Sequence, residues 1–146
     1  MTIPQWTLLG FAAWTLCLLM ATVGVYRWGM ILLSKARIAS FRSDQLEGAG
    51  WYQRGTRAHA NCIENLPVFG AIVYIITVTG MHGTMVDALC VAILVARIIQ
   101  SSVHVSHEQT DVFVAVRFSF YSVQLVSFLA LIVMAIAQGA RSLSGS

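Results

Sequence analysis

The fold of this protein is decided by its long apolar runs, and the clearest of them lies near the C-terminal end. Residues 112–137 have the sequence VFVAVRFSFYSVQLVSFLALIVMAIA, in which Arg117 is the one charged side chain. A helix needs ~20 mostly apolar residues to cross the hydrocarbon core of a bilayer. This stretch therefore predicts a membrane-spanning helix.

Three further stretches are long and apolar enough to make the same prediction. We predict spans at about 6–33, 56–80 and 85–105, followed by the span at 112–137. Four spans and their connections use most of the 146 residues, which leaves no room for a second domain. We therefore expect one all-α domain, residues 1–146, folded as an integral-membrane four-helix bundle, with a frayed polar tail after residue 137.

The composition excludes a water-soluble globule. Only 10% of the residues are charged and 58% are hydrophobic, with a mean hydropathy of +0.75, whereas a soluble domain carries about 25% charged residues. The net charge of +3 is too small to indicate nucleic-acid binding. Three hydrophobic segments each contain one cysteine: Cys17, Cys62 and Cys90. They form no CxxC pair and no His/Cys cluster at the spacing of metal ligands. We therefore expect no metal cofactor.

The distribution of basic residues predicts the orientation in the membrane. The polar connection at 34–55 carries four basic residues: Lys35, Arg37, Arg42 and Arg54. Its three glycines, the last at Gly55, predict a loop rather than a helix. The turn at 80–83 has no Lys or Arg. Since cytoplasmic loops are rich in Lys and Arg, we predict that the connections at 34–55 and 106–111 are cytoplasmic and that both termini are outside.

Polar side chains inside the spans recur at helical spacing, so each set shares one helix face. The second span carries Arg57, Asn61 and Glu64, the third carries Arg97, Gln100, Ser101 and His104, and the fourth carries Arg117, Tyr121 and Gln124. An ionised side chain in the bilayer costs several kcal/mol unless it is paired or faces a wet cavity. All three rows lie near the cytoplasmic end, and together they indicate a small, polar, mainly anionic ligand.

Each of these residues taken singly also has a structural explanation. Glu64 and Arg97 would form an ion pair between helices, while Arg57 and Arg117 would extend to lipid headgroups. Tyr121 would be a packed interfacial aromatic residue. A different functional class is a small four-helix membrane transporter in which Glu64 binds a proton or a cation, although the surrounding arginines would repel cationic substrates.

The second span also carries a recognisable motif. Residues 57–67, RAHANCIENLP, closely resemble the signature of the MAPEG family, the membrane-associated proteins in eicosanoid and glutathione metabolism. Arg97 inside the third span and Arg117 four residues before Tyr121 fit the same pattern. The resemblance covers essentially the whole chain. It implies a homotrimer in membrane lipid that binds glutathione, as co-substrate, between neighbouring subunits near the cytoplasmic face.

The resemblance also implies roles for individual residues. It implies that Arg57, Asn61, Glu64 and Arg97 bind glutathione, and that Arg117 and Tyr121 form a catalytic pair in which Arg117 stabilises the glutathione thiolate. We add Gln100 and His104 to the binding set from the polar row of the third span. Gln100 and His104 stand where family members often carry aromatic or His residues. This difference favours a general glutathione transferase or peroxidase of detoxification, acting on lipophilic electrophiles from the bilayer, over an eicosanoid synthase. A non-catalytic lipid-binding member of the family remains the alternative.

Overall fold

Four long helices form the protein. The computed structural model describes residues 1–35, 37, 41, 48–108 and 110–144, the side chains of 142–144 excepted. The helices are α1 (Ile3–Leu32), α2 (Gly50–Val78), α3 (Thr84–Ser106) and α4 (Asp111–Ser144). Each is long and apolar enough to cross a membrane. The expected all-α, four-helix membrane bundle is therefore confirmed, and the protein is a multi-pass integral membrane protein.

Two sequence-based boundaries are wrong. Helix α2 begins at Gly50, so the stretch up to Gly55 is helical and not part of the loop. Gly55 lies where α1 comes close, and a glycine in a membrane helix is commonly a contact residue rather than a helix breaker. The tail expected to be frayed is helical through Ser144. The predicted loop residues Arg42, Asp44 and Glu47 lie outside the described residues.

Helix α1 is not a uniform α-helix. A π-helical turn covers Met20–Gly24, and within it the Thr22 hydroxyl donates a hydrogen bond to the Leu18 carbonyl oxygen at 2.6 Å. A π-turn adds a residue to the helical ring and locally widens the helix. This widened turn faces Gly55 of α2, so the first two helices meet at one close point near the polar end of the bundle.

The core is a set of apolar side chains contributed by all four helices. The Phe69 ring of α2 lies 5.7 Å from the Phe11 ring and 6.0 Å from the Phe128 ring, while Ile93 of α3 is fully buried beside them. Such tilted aromatic pairs fix the helices relative to one another. The outward faces are also apolar, as Val133 with 64% of its surface exposed illustrates, which suits a helix whose solvent is lipid.

The packing leaves space between two of the helices. Helix α3 packs against the other three, and its contact with α4 is the most extensive, whereas α2 and α4 touch each other only sparsely. An apolar cavity of about 530 Å³ opens between α2 and α4 in the half of the bundle nearer the 80–83 turn. It is lined by Val68, Ala71, Ile72, Ile75, Leu131, Ile132, Ala135 and Ile136. The polar rows lie at the other end of this same interhelical space.

Candidate functional site

A polar groove opens between α2 and α4 near the end of the bundle that carries the 34–55 connection. It has a volume of about 290 Å³, close to the lower limit of ~300 Å³ for small-molecule sites. Its walls are formed by Asn61 of α2, Gln100 of α3, and Val114, Arg117, Phe118 and Tyr121 of α4. The structure thus brings four residues of the predicted site into one cavity: Asn61, Gln100, Arg117 and Tyr121.

Arg117 and Tyr121 form the α4 wall of this groove. They lie one helical turn apart, which places both side chains on the same face. Arg117 is half-buried, and its Nε atom is shielded from solvent without a hydrogen-bond partner. Tyr121 is 38% exposed. A guanidinium with unused donor capacity beside a phenolic hydroxyl is suited to stabilising an anion in the groove.

Arg97 lies behind the groove, inside the bundle. Its side chain is 1% exposed, its guanidinium sits 5.5 Å from the centre of the Phe11 ring, and it interacts with the Cys62 thiol. Its Nε and Nη2 atoms have no hydrogen-bond partner. Glu64 lies within electrostatic range of Arg97, but its side chain is exposed whereas Arg97 is buried, and these two described residues do not form the ion pair that the sequence allowed. Arg97 therefore acts on the groove as a fixed, buried positive charge.

Positive charge is concentrated around His104. This side chain is buried, and its Nε2 atom has no hydrogen-bond partner. Arg54, Arg57 and Arg117 all lie within electrostatic range of its ring. Arg54, which the sequence placed in the loop, belongs to α2, and its Nε donates a hydrogen bond to the Val105 carbonyl oxygen at 3.2 Å. Helices α2, α3 and α4 thus contribute to one cationic region.

Arg57 and Glu64 do not line the groove. Both side chains are exposed, although they flank Asn61 on α2. Glu64 is the central residue of the helix Gly50–Val78, so an ionised carboxylate there is unfavourable against lipid unless another group covers it. In a single chain, these two side chains therefore lie exposed beside the site.

Val114 and Phe118 line the groove although neither belongs to the polar rows predicted from the sequence, and Gln124 belongs to such a row but not to the predicted binding set. Val114 and Phe118 give the groove an apolar wall and share the face of Tyr121 at helical spacing. Gln124 extends the row of Arg117 and Tyr121, is 1% exposed, and donates a hydrogen bond from Nε2 to Gln100 Oε1 at 2.9 Å. The signal for all three was the 3.6-residue period. This period shows on which face of its helix a residue lies, but it does not show which helix or cavity that face contacts.

Metal ligands are not assembled in the part of the chain that the structure describes. No group of three or more His, Cys, Asp or Glu side chains comes together there. The polar chemistry available in the groove is that of arginine, amide and phenol groups.

Comparison with known proteins identifies the family of the chain. The model of the MAPEG family matches residues 6–137, which confirms the resemblance based on residues 57–67. Many members of that family are glutathione-dependent enzymes, including transferases and peroxidases, and others are non-catalytic. No curated protein and no solved structure significantly matches the chain.

Proposed function

This chain belongs to the MAPEG family, and from that premise we propose that it is a membrane-bound, glutathione-dependent transferase that conjugates or reduces lipophilic electrophiles. One observation carries the proposal: Arg117 and Tyr121 share a groove with Asn61 and Gln100. A cation and a hydroxyl thereby stand beside amide groups that suit a peptide ligand. This combination favours an enzyme over a non-catalytic member of the family.

Glutathione offers two carboxylates, one ammonium group and two amides to such a site. Asn61 and Gln100 hydrogen-bond its amides, and Arg57 binds a carboxylate, since a guanidinium pairs with a carboxylate through two parallel hydrogen bonds. Glu64 pairs with the ammonium group. Arg97 and His104 support binding from behind the groove, because both are buried and neither points to open solvent. The excess of positive charge matches the net negative charge of the ligand.

Activation of the thiol is the chemical task of the site. A cysteine thiol has a pKa of about 8.5, so only ~3% is thiolate at pH 7. Lowering that pKa by about two units requires ~2.7 kcal/mol of preferential stabilisation of the thiolate. Arg117 supplies this from its half-buried position, and the Tyr121 hydroxyl donates a hydrogen bond to the sulfur. The thiolate then attacks the electrophilic carbon, and the leaving group departs with the bonding electron pair.

The second substrate reaches the thiolate from the bilayer. The apolar cavity between α2 and α4 lies in the same interhelical space as the polar groove, and eight apolar residues line it. Phe118 and Val114 continue the apolar wall into the groove itself. A lipophilic electrophile therefore has an apolar route to the sulfur. The same apolar lining is a poor binding surface for a water-soluble substrate.

We propose a homotrimer with the site at the subunit boundary. Its support is the exposure of Arg57 and Glu64, two charged side chains of a membrane-spanning helix. A neighbouring subunit that covers them removes the free-energy cost of exposing two charged side chains to lipid. It also closes the side of the groove that is open in a single chain. We propose that the connections between α1 and α2 and between α3 and α4 are cytoplasmic, because the first of them is rich in basic residues, so that glutathione enters from the cytoplasm.

The test is a glutathione-affinity column loaded with detergent-solubilised protein, followed by a conjugation assay with a generic aryl halide. Retention with turnover is expected. Retention without turnover would instead identify a non-catalytic scaffold. A protein that is neither retained nor active would contradict glutathione binding and favour the transporter in which Glu64 carries the ion.

A further inference from the structure

A buried pair of amide side chains joins α3 to α4 directly behind the polar groove. Gln124 Nε2 donates a hydrogen bond to Gln100 Oε1 at 2.9 Å and a second to the Phe120 carbonyl oxygen at 3.3 Å. Gln124 is 1% exposed and Gln100 is 6% exposed. Gln100 nevertheless lines the groove, so one end of its amide faces the pair and the other faces the cavity.

The Phe120 carbonyl sets the orientation of both amides in the structure, an orientation that leaves the buried Gln124 Oε1 without a hydrogen-bond partner. A backbone carbonyl oxygen only accepts hydrogen bonds, so the Gln124 atom beside it is the NH₂ nitrogen. That nitrogen donates its other proton to Gln100, which must present its oxygen to Gln124. The NH₂ group of Gln100 is left for the groove. The reverse orientation of Gln124 would place two oxygens against each other at Phe120.

We propose that Gln124 is a positioning residue, which holds the Gln100 amide with its NH₂ group toward the groove, where that group donates a hydrogen bond to an acceptor atom of bound glutathione. This inference rests on the function proposed above. Gln124 itself does not touch the ligand. Its effect on binding passes entirely through Gln100.

The expected loss of glutathione binding follows from the behaviour of a Gln100 amide that is free to rotate. Without Gln124, the Gln100 side chain presents either its NH₂ group or its oxygen to the ligand, and the oxygen repels an acceptor. One hydrogen bond between neutral groups contributes about 0.5–1.5 kcal/mol to stability or binding. Its loss corresponds to a roughly threefold to tenfold weaker binding of glutathione.

The kinetic experiment uses Gln124→Met, which keeps the length and apolar fit of the side chain but cannot hydrogen-bond Gln100. We expect KM for glutathione to rise roughly threefold to tenfold, with kcat and its pH profile unchanged. The double variant with Gln100→Met should bind glutathione no worse than Gln100→Met alone, because Gln124 acts only through Gln100. Additive losses in the double variant would overturn the proposal.

Ser127→Ala is the matched control. Ser127 is also buried on α4, and its hydroxyl donates only to the Val123 carbonyl oxygen of its own helix. This variant should leave KM for glutathione unchanged. An equal rise in KM in Ser127→Ala and Gln124→Met would show a general effect of disturbing α4 and would overturn the positioning role.

A spectroscopic measurement separates this inference from the proposed function. In protein labelled with ¹⁵N-glutamine, the Gln100 side-chain amide should give two well-separated proton signals that move toward each other in Gln124→Met. Unchanged signals in that variant would overturn the positioning role, whether or not glutathione binds. In the wild-type protein, saturating glutathione should shift the Gln100 signals. If a retained, active protein shows no such shift, the inference fails together with the Gln100 contact to glutathione, while the glutathione-dependent activity stands. The wild-type titration tests that contact even if Gln124→Met does not fold.

Discussion

Thr22 of α1 lies so close to Gly55 of α2 that a Cβ atom placed on the glycine would be 2.5 Å from the Thr22 Cβ. Cβ atoms essentially never approach other heavy atoms that closely. The contact is made at the π-turn Met20–Gly24, whose extra residue widens α1 at this point. It sets the position of α2 just before Arg57, where the polar row of the site begins.

Replacement of this glycine is expected to destabilise the bundle. Gly55→Ala requires α1 and α2 to separate, because the atoms it meets belong to Thr22 at the base of its side chain. Overpacking of this kind costs ~1–3 kcal/mol, which thermal unfolding in detergent would detect as a lower midpoint. Gly70→Ala is the control on the same helix, since nothing lies within 4 Å of a Cβ atom there. It should be neutral or mildly stabilising. Equal midpoints for Gly55→Ala and the wild-type protein would contradict the close contact.

Arg117 separates catalysis from binding. If it stabilises the thiolate, Arg117→Ala should lower turnover at neutral pH by roughly tenfold or more while weakening glutathione binding much less. The loss is smaller than the full change in thiol acidity, because a less acidic thiol gives a stronger nucleophile. Raising the pH should partly restore the rate, since hydroxide then removes the proton. A variant with the normal rate and pH profile would assign Arg117 to headgroup contact or packing.

Arg57→Ala should differ from Arg117→Ala, because Arg57 is proposed to bind glutathione and not to stabilise its thiolate. Its side chain is exposed on α2 and does not line the groove. Arg57→Ala should therefore raise the glutathione concentration needed for half-maximal rate and leave the pH profile of kcat unchanged. A pH profile displaced as in Arg117→Ala would mean that Arg57 also stabilises the thiolate.

Assembly is tested by native mass spectrometry in detergent. The exposed Arg57 and Glu64 lead us to expect a trimer, in which a neighbouring subunit covers both side chains. Glu64→Gln removes the carboxylate proposed to pair with the ammonium group of glutathione, so it should raise KM for glutathione. A fully active monomer would defeat the site at the subunit boundary.

Orientation is tested by single cysteines introduced into a cysteine-free background. Ser34 and His82 are exposed at opposite ends of the bundle. With an impermeant thiol reagent on intact cells, Ser34→Cys should be protected and His82→Cys labelled, because the basic connection is expected in the cytoplasm. Labelling of Ser34→Cys from outside would reverse the orientation.

The number of helices and the faces that carry polar groups follow from the order of the amino acids alone. A membrane span demands a long apolar run, and the run at 112–137 lies within α4, Asp111–Ser144. The 3.6-residue period placed Arg117 and Tyr121 together. The sequence pattern failed at Gly55, because glycine signals a loop in water but permits close packing between membrane helices, as it does here against Thr22.

The contacts that each polar face makes depend on how the four helices pack together. Arg57 and Arg97 are both arginines near the same end of the bundle, yet one is exposed and the other is 1% exposed beside Phe11. The hydrogen bond from Gln124 to Gln100 likewise joins two helices. Local spacing fixes only the direction of a side chain around its own helix axis. The rotation and approach of the neighbouring helices decide whether that direction leads to a groove, a partner or the lipid.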